Sequence, residues 1–379
     1  MKRKPFKFLT KRRIEAALFL TIFLGTFTYI GSRMGLPNML NTIMQTSYSL
    51  LLETVFYIMA ITVLSGALGK LLTEFGVVRL LEVLLKPLMK PLFNLPGVAA
   101  LGGLLTFLSD NPAIISLAKD QNFNRYFKKY QLISLTNFGT AFGMGLIVII
   151  FMAGRGFGYA AVIGLIGAII GSIISTRLMQ RFTVKQYPEL KVEEVQGGDE
   201  QQISFKSEGG IFLRGLNAIL DGGKTGVDLG LAIIPGVLII STFVMILTFG
   251  PSAEGYTGKA YEGIALLPYL AQKVDFIFVW LFGFHNPELI AFPITSLGAV
   301  GAALGLIPKF QNAGLLDGNA IAVFTAMGMC WSGFLSTHTA MLDSLGYRKL
   351  TGKAIISHTI GGLFAGISAH WIFYALTFI

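Results

Sequence analysis

The sequence predicts an all-α integral membrane protein: about seven transmembrane helices plus two opposed re-entrant helical hairpins in an inverted repeat. Three observations predict it. Hydrophobic residues make up 53% of the 379 and charged residues only 13%, with a mean hydropathy of +0.67; a soluble domain carries about 25% charged residues. No soluble core of this length hides so much apolar surface, so lipid must solvate it. Apolar runs of spanning length recur along the chain, and two of them are broken near the middle by Asn-Pro. The 45 glycines suit close helix contacts in membranes.

The first element is the run Ile14 to Gly35, preceded by the basic stretch MKRKPFKFLTKRR. A cleavable signal peptide starts the same way, but its apolar region is only about 7–15 residues. This run is longer, so it reads as an uncleaved first span with a cytoplasmic N-terminus. Further spans fall at about 48–70, 130–153, 157–178, 226–249, 318–344 and 354–378. Residues 92–118 and 276–307 are the broken runs, interrupted at Asn111-Pro112 and Asn286-Pro287. Proline removes a backbone donor and restricts its predecessor, so each run should be two half-helices meeting at a turn. Such a backbone survives at membrane depth only inside protein or beside a polar cavity.

Charge placement orients the model. Lys86, Lys90, Lys119, Arg125, Lys128 and Lys129 flank the first hairpin on both sides, and Arg177, Arg181, Lys185, Arg348, Lys349 and Lys353 follow the fourth and sixth spans. Counting from a cytoplasmic N-terminus puts all of them inside, as the positive-inside rule requires. Residues 250–272 and the C-terminus come out external, in what would be a bacterial inner membrane. The net charge of +10 therefore reflects loops facing the cytoplasm, and no nucleic-acid partner is implied.

The organisation expected is a basic segment and first span at 1–47, a first repeat at 48–180, a polar cytoplasmic linker at 181–212, and a second repeat at 213–379. Each repeat runs span, hairpin, interrupted span, span. Three full crossings per half invert the second copy, the plan of secondary transporters whose discontinuous helices meet near the midplane. A rival alignment pairs FLSDNP (107–112) with FLSTHT (334–339), with Arg125 to Ser134 spaced as Arg348 to Ser357. That pairing would make the repeat parallel.

The run from Pro87 to Met152 resembles the nucleoside-recognition or Gate domain of bacterial membrane proteins. The features that carry the resemblance are a proline-rich lead-in (KPLMKPLFNLPG), the break LSDNP, a basic loop and the glycine-polar stretch TNFGTAFG. The second half, from DGGKTGVDLGLAIIPG onward, resembles the matching module, and the whole is similar to the concentrative nucleoside transporters. The resemblance implies secondary-active transport of a small polar organic solute, nucleoside-like or a small organic anion, driven by sodium or protons.

Ionisable and amide groups inside spans face the protein interior or a water-filled cavity. Ser109, Asp110 and Asn111 at the first break and His285, Asn286 and Glu288 at the second are therefore the expected solute-binding groups. Ser336, Thr337 and His338 in the sixth span join them. Freed carbonyls with Ser109, Asn111, Thr136, Asn137 and Thr140 suit a coupling cation such as sodium, and the glycines beside Asn137 point to unwinding there. Asp110 and Glu288 could instead cap a half-helix, and Asp221 reads as the cap of the fifth span. His338, like any histidine, could carry a proton. The glycines of GLIGAIIGS (164–172) form a stripe for another helix or a second subunit of a homo-oligomer.

Other classes fare worse on the same residues. No His-x-x-x-His, Glu-x-x-His or Walker loop occurs, so no metal site, resident cofactor or direct ATP drive is expected. An intramembrane enzyme would need a nucleophile–base pair; the nearest, His338 with Asp343, is five residues apart and off-register for a helix face. A non-transporting partner protein of a membrane complex could share the same fold. Cys330 is the single cysteine, which excludes an internal disulfide.

Overall fold

The computed structural model describes residues 10–192 and 209–377. Seven helices among these are long and apolar enough to cross a membrane, matching the expected spans in number and place. The helices in order are α1 (Lys11–Met34), α2 (Leu36–Glu74), α3 (Val77–Leu88), α4 (Ala99–Leu108), α5 (Pro112–Lys119), α6 (Lys129–Thr140), α7 (Gly145–Gly154) and α8 (Gly158–Gln186). Then come α9 (Ile211–Thr248), α10 (Leu266–Gln272), α11 (Asp275–Phe282), α12 (Ala291–Ser296), α13 (Val300–Leu304), α14 (Ile307–Asn312), α15 (Gly318–Trp331), α16 (Phe334–Ser344) and α17 (Thr351–Thr377). The expected linker is shorter on both sides, because α8 continues to Gln186 and α9 starts at Ile211. Its acidic cluster, Glu193, Glu194, Asp199 and Glu200, lies outside the described residues.

Two crossings hold the spans together, and both depend on small residues. A Cβ on Gly66 of α2 would strike the carbonyl of Gly222 in α9, and one on Gly226 would strike that of Thr62. The Thr62 hydroxyl donates to the Gly226 carbonyl at 2.7 Å. In α8, a Cβ on Gly167 would come within 2.6 Å of the Ala365 carbonyl, and one on Gly171 within 2.5 Å of the Gly361 carbonyl. Gly164 meets Thr325 and Ala322 of α15, so the glycine stripe of α8 is consumed within the chain. Close backbone approach replaces a hydrophobic drive that lipid cannot supply.

These crossings also fix the repeat. Position 62 faces 226 while 66 faces 222, and 167 faces 365 while 171 faces 361. Each first-half span thus runs antiparallel to the second-half span of the same rank, α2 to α9 and α8 to α17. Identical order with opposite direction is an inverted repeat. The rival parallel alignment fails, because residues 107–112 form a chain reversal and 334–339 an unbroken helix. The interrupted spans agree: α7 restarts after Met144 (φ 54°) and α16 after Gly333 (φ 59°), both left-handed.

Three local expectations are corrected. The chain does not unwind at Asn137, because α6 runs through it to Thr140 and opens at 141–144. Asp221 does not cap the fifth span; it stands inside α9, whose helical backbone begins ten residues earlier. The second hairpin does not turn at Asn286-Pro287. There the chain leaves α11 through Gly283 (φ 65°) and bends by 74° into Pro287–Ser296. The reversal comes at Leu297–Ala299, between α12 and α13.

Candidate solute and ion site

Four interruptions of the backbone meet inside the fold. They are the first hairpin tip (109–111), the gap between α6 and α7 (141–144), the second tip (297–299) and the gap between α15 and α16 (332–333). Asn111 joins them. Its Nδ2 donates to the carbonyl of Ser332, a group freed because α15 ends at Trp331. A Cβ on Gly143 would collide with Asn111 Oδ1 and lie 3.1 Å from Ser332 Cβ, and one on Gly333 would lie 3.9 Å from both Asn111 Nδ2 and the Gly298 carbonyl oxygen. Glycine is required where the gaps receive the tips.

The first tip carries unsatisfied oxygens. Asp110 Oδ1 and Asn111 Oδ1 are buried and have no hydrogen-bond partner, while the Ser109 hydroxyl turns back to the Leu105 carbonyl at 2.6 Å. Buried oxygens left without donors are costly in an apolar interior. They are the kind of group that a cation or a solute donor would satisfy.

The remaining expected residues divide. Thr136, Asn137 and Thr140 sit in α6. Asn137 Nδ2 donates to Ser175 Oγ at 2.9 Å and to the Ala354 carbonyl at 3.0 Å, and the Thr140 hydroxyl to the Thr136 carbonyl at 2.6 Å. This knot continues from Ser175 Oγ to His358 Nδ1 at 3.1 Å and from His358 Nε2 to the Cys330 carbonyl. His338 lies edge-on to His358 with ring centroids 4.6 Å apart, fully buried, both ring nitrogens without a partner. Ser336 is exposed, and its hydroxyl, like that of Thr337, bonds the Gly333 carbonyl. Asp343 faces outward toward Arg348 at 3.9 Å, so it makes no dyad with His338.

His285, Asn286 and Glu288 stand elsewhere. Asn286 reaches only the Leu315 carbonyl at 3.4 Å, His285 is exposed and Glu288 half-buried. What holds this bend is Asn319, which donates to the carbonyls of Phe282 at 2.8 Å and Gly283 at 3.3 Å; its Oδ1 lies 2.8 Å from His370 Nδ1. Glu288 is not among the residues that line the cleft reaching Ser109.

Residues passed over in the sequence form the route to the tip. A cleft of about 750 Å³ runs between α2, the first hairpin and α9, from Ser109 to a polar mouth at Lys70, Glu74, Asp120 and Arg214. Arg214 Nε pairs with Glu74 Oε1 at 2.7 Å. Asn217, Asp221 and Thr225 line the α9 wall. The available signal was the i, i+4 pair Lys70 and Glu74 closing an apolar span. Among the described residues, no group of three or more His, Cys, Asp or Glu side chains could hold a metal ion.

Fold and breaks together define a multi-pass membrane protein built as two inverted halves. Residues 55–156 match the Gate family, described as nucleoside recognition. The solved structures that resemble the whole chain include CNTnw in an inward-facing substrate-bound state, with 13% identity and a TM-score of 0.54 over 96% of this chain and 87% of that one. A CNTnw variant in an outward-facing state is similar at 14% identity and TM-score 0.54, over 96% and 86%. Another, in an intermediate state, matches at 12% and 0.53 over 94% and 85%. No curated protein matches the sequence significantly.

Proposed function

We propose that this protein is a secondary-active transporter of a small, neutral, hydrogen-bonding organic solute of nucleoside-like character. The observation that carries the reading is the meeting of four backbone interruptions, two from each half, at the inner end of a polar cleft. Half-helix ends there offer N–H and carbonyl groups without a helical partner, the means by which inverted-repeat transporters hold solute and ion. The cleft bears two cations, Lys70 and Arg214, against three carboxylates, Glu74, Asp120 and Asp221. That balance disfavours a free organic anion and leaves the nucleoside-like solute preferred.

Solute contacts are assigned to Ser109, Asp110 and Asn111, with Ser332 opposite. The coupling cation is assigned to Asp110 Oδ1, Asn111 Oδ1 and freed carbonyls, a hard-oxygen set suited to sodium. Asn137 and Thr140 support that set from behind, since their donors are committed to backbone carbonyls and Ser175. The mouth at Lys70 and Arg214 opens to the cytoplasm in this reading, with residues 250–272 external.

The test is uptake into liposomes of purified protein. Nucleosides, nucleobases and small carboxylates are screened under a sodium gradient at equal pH and under a pH gradient without sodium. Sodium-driven accumulation of a nucleoside-like solute is expected. Accumulation that follows only the pH gradient would reassign coupling to a proton on Asp110 or His338. No accumulation of any solute would favour a non-transporting partner of a membrane complex.

A further inference from the structure

The amphipathic helix α3 leaves Leu80, Val83, Leu84 and Leu88 exposed on one face, as a helix lying in the membrane interface would. Under its C-terminal end is a groove of about 300 Å³ lined almost wholly by apolar side chains, among them Leu92, Leu104, Phe107, Phe138 and Phe142. Its rim is basic. Lys90 projects from the turn beside Leu92 and is exposed. Arg177 of α8 donates Nε to the Leu92 carbonyl at 2.9 Å and Nη2 to the Pro91 carbonyl at 2.6 Å. The Leu92 carbonyl is available because Pro96, four residues on, has no N–H. Arg177 uses two of its five N–H donors on these carbonyls, which fixes its cation beside Leu92, a residue of the groove wall. Arg181, one turn further along α8, is exposed.

An apolar slot with cations beside the Leu92 that lines it has the chemistry of one lipid class. We propose that this groove binds an anionic phospholipid, with one acyl chain along Leu104 and Phe107 and the phosphate held by Lys90 and Arg177. Basic pockets between spans recognise such headgroups, and guanidinium binds phosphate through paired N–H groups. The chain would touch both parts of the site that carry breaks, since Phe107 belongs to the arm of the first hairpin and Phe142 to the gap before α7. The lipid thereby seats that arm against the interrupted span.

Native mass spectrometry of the purified, delipidated protein with added phosphatidylglycerol or phosphatidylcholine tests this, with melting temperature as the check that each variant folds. The wild type should retain one phosphatidylglycerol in preference to phosphatidylcholine. Lys90→Ala should lower phosphatidylglycerol affinity roughly fivefold and leave phosphatidylcholine unchanged, while Lys90→Arg restores it. Leu104→Trp, which fills the slot, should abolish retention of both. Equal retention of the two lipids by the wild type, or a folded Leu104→Trp that still retains phosphatidylglycerol, would overturn the assignment.

Discussion

The same dipeptide, Asn-Pro, breaks both halves of this chain, yet the two copies do different work. At Asn111-Pro112 the proline opens α5 and the asparagine reaches across the repeat to Ser332. At Asn286-Pro287 the proline opens a short helical turn at the bend after α11, and the asparagine makes one long contact to Leu315. Proline states locally that a helix begins; it says nothing about depth. The second hairpin makes its reversal through Leu297, Gly298 and Ala299, and the Gly298 carbonyl is the part of that tip that approaches Gly333. A polar signal marked the first tip, and a glycine between two apolar residues marks the second.

The largest test of this comparison is all-or-none. Cys330, the single cysteine, is buried, so the parent chain gives a silent background for a membrane-impermeant thiol reagent. Lys119→Cys and Lys349→Cys should label from one face of the membrane and Ser252→Cys from the other. Labelling of Lys119→Cys and Ser252→Cys from the same face would break the topology on which the comparison rests.

Next in size is the effect on transport. Asn111→Ala and Asp110→Asn should each reduce uptake by more than about tenfold, the equivalent of roughly 1.4 kcal/mol or more. Glu288→Gln and His285→Ala should stay within about twofold of wild type. A loss of uptake in Glu288→Gln matching that in Asp110→Asn would make the second break functional after all.

Stability should separate the two asparagines more modestly. Asn111→Ala leaves the buried Ser332 carbonyl without its donor, a cost of about 1–3 kcal/mol. Asn286→Ala removes one long, partly exposed contact and should fall within about 0.5 kcal/mol. Chemical denaturation in detergent compares them, and equal losses would remove the structural distinction.

The smallest expected effect concerns the loop before α10. Burial alone would raise the carboxyl of Glu262, but the Thr257 hydroxyl and the N–H groups of Thr257 and Gly258 outweigh it and hold the pKa below its usual value of 4.5. A lowered folded pKa gives stability that is present above the unfolded value and lost as pH falls through the folded one. Melting temperatures of wild type and Glu262→Gln should therefore differ at pH 7 and converge below about pH 4. A constant gap across that range would contradict the bonded carboxylate.

The spans were legible because membrane insertion is written in composition: seven apolar runs are of spanning length, and seven helices among the described residues are long and apolar enough to cross. The burial of Asn111 and of Asp110 Oδ1 was legible for the same reason, since polar groups inside such runs turn toward the protein interior. The burial of Asn137 was legible too, but the glycines beside it point to unwinding where the helix in fact continues. Its amide reaches Ser175 and the Ala354 carbonyl on two other helices, partners more than thirty residues away in sequence. The cleft was missed because Lys70, Glu74 and Arg214 look like ordinary span ends until α2 and α9 are laid together.

The sequence by itself determined the solvent, the number of crossings, the order of elements in each half and one hairpin tip. Each of these follows from local properties: apolar length, proline geometry and the cost of charge in hydrocarbon. The tertiary structure alone decided between the inverted repeat that the sequence predicts and its parallel rival, placed the second tip at Gly298, and brought Asn111 to the opposite half. Those outcomes depend on which backbones can touch. Contact is set by small residues such as Gly66 and Gly222, or Gly171 and Gly361, that approach only after the chain has folded.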